Sequence, residues 1–296
     1  MIEKENNSDL VDIIILGNGF DIANNYKTSY SDFIKSYEFN SLLKNNHLAQ
    51  KINEQHNIQN WVDVEMEIAN YSNDLYNKYN NNIPSEIDSV FSNEFYEISN
   101  ALYLFISKAR SYKTNPIMES LITNWVERSF FEQKRIYVLT FNYLKFETSL
   151  LLNKKPKELF IFGNPTHVHG IASNENNIVL GVDRTNIKCN SHSFLIKEFN
   201  RNTETRHFFS YVDKADRIII FGSSLGRTHY RYFKSLFNNR KNIKYDIYCF
   251  KEKEYLNIKN NIMIYTDYNQ KFYDDNEVTF YDSSIDSCPI IYSTHK

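Results

Sequence analysis

The stretch Val11-Asp12-Ile13-Ile14-Ile15-Leu16-Gly17-Asn18-Gly19-Phe20-Asp21 decides the fold. Its first six residues are β-branched and apolar apart from Asp12, with no polar alternation. Such a run fits a central parallel strand covered on both faces. Two glycines follow at once and lead into a helical segment. A strand that runs through a glycine turn into a helix opens a nucleotide-binding βα unit, whose turn amides face an anion. The third glycine of G-x-G-x-x-G falls on Ile22, so the dinucleotide fingerprint is incomplete. Asp21 lies just past the turn and points to the same crevice; its plainer role is an acid favoured at a helix N-terminus.

Glycine usage sharpens the point. The chain has only seven glycines in 296 residues, where about twenty would be usual at roughly 7%. Those kept, Gly17, Gly19, Gly163, Gly170, Gly181, Gly222 and Gly226, sit in short segments beside apolar runs. Glycine is needed where φ is positive or where backbone approaches backbone or ligand closely.

Strand-like runs return after residue 130. Arg135–Thr140 ends in Phe141-Asn142-Tyr143, and Arg217–Phe221 ends in Gly222-Ser223-Ser224-Leu225-Gly226 before a helix reaching about residue 238. Leu159–Phe162, Thr166–His169, Ile178–Leu180, Tyr245–Phe250 and Ile262–Tyr265 are further expected strands. Val278–Tyr281 and Ile290–Tyr292 are expected to pair as a hairpin. Between residues 41 and 130 the apolar spacing is helical. Trp61, Val64, Ile68, Tyr71 and Leu75 follow Asn60 as an expected cap. Ile87, Phe91, Phe95, Ile98, Leu102, Phe105 and Ala109 form a second stripe. Pro84 and Pro116 stand where helices begin, and Tyr30–Tyr37 reads as one more helix. The expected fold is thus α/β, Rossmann-like, with a mainly parallel sheet. Residues 1–40 and 131–296 would form the nucleotide-binding domain and 41–130 an inserted helical subdomain.

Composition excludes several classes. With 42% hydrophobic and 24% charged residues the chain reads as an ordinary soluble globular protein. A net charge of -2 with scattered lysines gives no footprint for duplex nucleic acid. Cys189, Cys249 and Cys288 are far apart, which argues against a disulfide framework or structural zinc and for a reducing cytoplasm. The polar start MIEKENNSDL predicts no signal peptide, and no apolar run is long enough to span a membrane.

Three segments carry candidate chemistry. Asn142 can orient a ribose hydroxyl or a water through both ends of its amide, or simply shape a turn. His167 and His169 in HVHG would share one strand face. One of them can act as a general base, both can be a half-buried structural pair, or both can ligate a metal completed by Asp21 or Asp183. Gly222, Ser223 and Ser224 can hold phosphate or ribose. The spacing of Gly222, Ser224 and Gly226 also matches a nucleophile elbow, but only His229 and His295 follow it, one too close and the other in the tail. Glu65 borders the apolar stripe of its helix and reads as a rim residue.

Taken in order, ILGNGFDIANNYKTSYSDF, NWVDVEMEI, FNY, HVHG with VLGVD, and FGSSLGRTHYRYF resemble the AbiH family of phage abortive-infection proteins. The same order is similar to a sirtuin-like fold. That resemblance implies a Rossmann-type sheet binding NAD, with hydrolysis of its N-glycosidic bond. It assigns Asn142 and His169 as catalytic. It assigns Gly17, Asn18, Gly19, Gly222, Ser223 and Ser224 to the nucleotide, to which Asp21 is added by its place just past the turn, and no metal is expected. Leu144 stands where the sirtuin-like pattern has an acid, and Thr228 and His229 where another is usual. The implied protein is an anti-phage effector that depletes host NAD. A non-catalytic nucleotide-binding sensor acting through a partner and a metal-dependent hydrolase are the alternatives. The expected partners are a small-molecule nucleotide and a phage protein as trigger. Neither membrane nor nucleic acid is expected, and a homo-oligomer is left open.

Overall fold

Strands β1 (Val11–Leu16), β2 (Arg135–Thr140), β3 (Thr166–His167), β4 (Ala215–Phe221), β5 (Lys244–Cys249), β6 (Glu277–Asp282) and β7 (Ile290–Ser293) make one sheet. Their order is β3-β2-β1-β4-β5-β6-β7. The first six strands run parallel, and β7 pairs antiparallel with β6. This computed structural model describes residues 10–59, 63–109, 116–145, 165–173, 177–200, 205–238, 240–284 and 287–294. The expected strand at Leu159–Phe162 lies outside them, as do Asn60, Trp61 and Gly163. The fold is α/β and Rossmann-like, as the opening strand implied. Order 3-2-1-4-5-6 reverses direction between β1 and β4, and that reversal is the switch point at which such sheets bind ligands.

The chain divides into two compact units. The first comprises residues 1–25, 112–168 and 203–296, and the second residues 26–111 and 169–202.

In the first unit both faces of the sheet are covered, which explains the unbroken apolar character of β1. Ile13 and Ile15 join Ile218, Ile220, Tyr245 and Ile247 on one face. That face is covered by helices at Thr205–Val212 (α8), Tyr230–Phe237 (α9), Lys251–Tyr265 (α10) and Lys271–Asp275 (α11). Ile14 and Leu16 face the other way, onto Met118, Ile122, Trp125 and Val126 of Pro116–Phe131 (α7). Ile262–Tyr265, expected as a strand, is instead the last turn of α10. Its buried residues Tyr255, Ile258, Ile262 and Tyr265 recur at three and four steps, and a four-residue window is too short to reveal that period.

The second unit is helical: Tyr30–Ile34 (α2), Tyr37–Asn40 (α3), His47–Gln59 (α4), Val64–Lys78 (α5) and Ser85–Ser107 (α6). Tyr30–Tyr37 is not one helix, because Ser36 restarts the chain by accepting from Phe39 N through Oγ. Asp63 caps α5, its carboxylate accepting from Glu65 N and Met66 N at 3.1 and 3.2 Å. Phe91, Phe95, Ile98 and Leu102 of the expected stripe are buried. No described helix is long and apolar enough to cross a membrane.

Candidate functional site at the carboxyl ends of the strands

The turns after β1 and β4 are locked together. Gly17 N–H donates to Phe221 O (2.9 Å) and Gly19 N–H to Gly222 O (2.8 Å). A Cβ on Gly17 would lie 2.4 Å from Gly222 O, and one on Gly19 would lie 2.6 Å from Gly222 Cα. Gly222 itself has φ +67°, where a side chain is strained. The glycines therefore serve backbone-to-backbone contact at the switch point. This corrects the expectation that the Gly17 and Gly19 amides face an anion, since both are bonded to carbonyls of the first unit. Helix α1 (Asn18–Ala23) starts directly after Gly17 and carries a buried Asp21 in its first turn. Beyond β4, Ser223 Oγ accepts from Leu225 N (3.2 Å) and Ser224 O accepts from Asn261 Nδ2 (2.9 Å). Tyr265 OH donates to Leu225 O (2.8 Å), so the turn is held from α10 as well.

Asn142 follows β2, next to that switch point. Its backbone is held at both ends. Asn142 N–H donates to Thr140 Oγ1 (3.1 Å), and its carbonyl lies 3.0 Å from His167 Nδ1. A carbonyl only accepts, so His167 carries its proton on Nδ1. The side chain is the opposite case. Asn142 is 2% exposed, and neither Oδ1 nor Nδ2 has a hydrogen-bond partner among the described residues. Leaving a buried polar group unsatisfied costs about 1–3 kcal/mol, and such groups in native proteins call for a reason. Beside it, Phe141 packs edge-on against His229, ring centroids 4.4 Å apart.

His169 belongs to the second unit. Strand β3 stops at His167, so the two histidines do not share a strand face as expected. The chain turns at Gly170, whose φ is +71° and whose added Cβ would overlap Asn177 O. His169 and Val179 then bond reciprocally: Val179 N–H donates to His169 O (2.8 Å), and His169 Nδ1 donates to Val179 O (3.2 Å). Residues 178–180 are not a strand; Val179 gives both its backbone N–H and its carbonyl to this turn. Val182 makes one parallel bridge with Ile196. Of the residues considered as metal ligands, Asp21 and His167 lie in the first unit and His169 and Asp183 in the second.

Sequence reasoning missed Glu65. It is not at a rim: Glu65 is 1% exposed. Lys197 Nζ donates to its Oε2 (2.7 Å) and Gly181 N–H to its Oε1 (3.3 Å), while His169 Nδ1 stands 3.4 Å from Oε1. Lys197 is buried as well. Burial pushes the Glu65 carboxyl up to about 7, against the pull of Lys197 and with a further push from Asp63. Burial, and then Lys197, hold His169 well below the ordinary imidazole range, against the Val179 bond. The available signal was an acid three residues before Ile68, inside the stripe rather than beside it, in the segment NWVDVEMEI.

Interlocked glycine turns at the switch point of a parallel sheet, beside a buried and unmatched amide, mark a Rossmann-like α/β protein. The sequence matches the family described as "Bacteriophage abortive infection AbiH" over residues 13–250. The chain belongs to that family, whose role is abortive infection against bacteriophage. Comparison with curated proteins finds none that matches.

Proposed function

We propose that the carboxyl end of β1, β2 and β4 binds NAD and that the protein hydrolyses the bond between nicotinamide and ribose, depleting NAD in the infected cell. The observation that carries this reading is the Asn142 amide, buried with both ends unmatched. A ribose hydroxyl or a water offers what it lacks, a donor to Oδ1 and an acceptor for Nδ2. Gly17, Asn18, Gly19, Asp21, Gly222, Ser223 and Ser224 frame the switch point where such sheets receive a dinucleotide. The close glycine contacts leave no room there for side-chain carbon. By the sirtuin-like resemblance His169 is the general base. Water oxygen bonds to the ribose carbon, its proton passes to His169, and nicotinamide leaves with the electron pair of the broken bond. The products are nicotinamide and ADP-ribose.

The test is incubation of purified protein with NAD, following nicotinamide and ADP-ribose by mass spectrometry, with and without chelator. Cleavage should persist in chelator and fall by about a hundredfold or more in His169→Ala and Asn142→Ala, and both variants should lose phage protection. Arrest by chelator, with stoichiometric metal found by elemental analysis, would favour a metal-dependent hydrolase. NAD that stays level in infected, protected cells would leave a nucleotide-binding sensor as the account.

A further inference from the structure

The second unit holds a buried cluster that the proposed chemistry does not yet use. A carboxylate and an ammonium group out of water are costly unless well paired, and replacing such a pair by apolar residues is often neutral or stabilising. The pair Glu65–Lys197 is therefore poorly explained by stability alone. Its geometry gives it another task. Glu65 spends Oε2 on Lys197 Nζ and turns Oε1 toward Gly181 N–H and His169 Nδ1. Gly181 fits there because its φ is +152° and an added Cβ would lie 2.3 Å from Leu195 O. Val179 O, a pure acceptor, lies on the same ring nitrogen at 3.2 Å. The Nδ1 proton thus goes to Val179 O, with Glu65 Oε1 standing beside the same nitrogen at 3.4 Å.

We propose that Glu65 is a positioning residue for His169: anchored by Lys197 and Gly181, it holds the ring with the proton on Nδ1 and leaves Nε2 as the nitrogen that accepts a proton. The inference rests on the reading of His169 as the base. A carboxylate behind a histidine fixes its tautomer and steadies the imidazolium formed when the ring takes a proton, as in the hydrolase triad. Lys197 pulls the Glu65 carboxyl toward its charged form against the burial that raises it to about 7, and burial keeps the resting ring neutral.

The experiment uses the full chain labelled with 15N-histidine, with His169→Ala to assign the signals. In the wild type, His169 is expected as the Nδ1–H tautomer with a low-field N–H resonance. An Nε2–H tautomer in the wild type overturns the proposal without any variant. In Glu65→Gln/Lys197→Met, which removes both charges together, that resonance should move upfield. NAD cleavage should lose about a hundredfold in kcat, less than the roughly 10⁴-fold seen when a triad histidine loses its carboxylate, with KM changed less than about threefold. An unchanged resonance with unchanged kcat in the double variant makes the pair structural only and overturns the proposal. If the wild type cleaves no NAD while the resonance still moves in the double variant, positioning stands and the hydrolase reading falls.

Discussion

The two ends of the sheet handle polar groups in opposite ways. At the amino end, charged side chains answer one another. Lys134 Nζ bonds to Glu132 (2.6 Å) and to Asp216, and lies 3.8 Å from Asp12 Oδ1. Ser129 Oγ donates to Asp12 Oδ2 (2.5 Å), and Arg217 Nε stands 3.3 Å from Asp246 Oδ2. Among the described residues Asp12 Oδ1, Arg217 Nε and Arg217 Nη1 make no hydrogen bond, but each group sits near an opposite charge that works against the cost of its burial. At the carboxyl end there is no such compensation for Asn142. Its amide is neutral, buried and unmatched among the described residues. The amino end is closed chemistry that holds strands together. The carboxyl end leaves the Asn142 amide unanswered, and that difference is what supports the proposed site.

The contrast can be broken first at the glycine lock. Gly19→Ala puts a Cβ 2.6 Å from Gly222 Cα and 2.9 Å from Gly222 O, so backbone must shift. It should cost about 1–3 kcal/mol of stability, read as a lower denaturation midpoint, together with loss of NAD binding. A variant that binds less but melts like the wild type would mean that Gly19 contacts the ligand rather than the β4 turn.

A smaller effect is expected at the amino end. Burial, the largest influence, pushes Asp12 up from 3.8. The folded state then holds a proton that the unfolded chain has already lost. The stability Asp12 contributes is full below 3.8 and is lost as pH rises through its folded value. Asp12→Asn should remove that decline, so stability measured from pH 4 upward should rise more steeply with pH than in the wild type. NAD binding should be unchanged. Identical slopes would show that Asp12 is ionised throughout and held by Lys134.

Much of this was legible in the sequence. VDIIIL needed no partner to read as a doubly covered strand, and the hairpin of β6 and β7 was visible in its two apolar runs. The direct juxtaposition of Gly17 and Gly19 with Gly222 was not, because some two hundred residues of chain separate them and only the sheet order joins them. The glycines could be flagged as close-approach positions, but not what they approach. Asn142 was singled out by its place after a strand, while its lack of partners is a three-dimensional fact. Glu65 was misjudged for a related reason. Its helical position at the border of the stripe read as a rim, and the cation that makes burial tolerable, Lys197, comes from a distant 3₁₀ segment that no local pattern announces.

The most direct test of the central claim, that the carboxyl end of the sheet is a nucleotide site organised by Asn142, is titration calorimetry of NAD into wild type and Asn142→Ala, with melts of both. Because the amide bonds nothing else in the described protein, the variant should melt within about 1 kcal/mol of wild type. It should bind NAD at least about tenfold more weakly, a loss of about 1.4 kcal/mol. Equal affinity in the two proteins, or a variant that unfolds, would contradict the account.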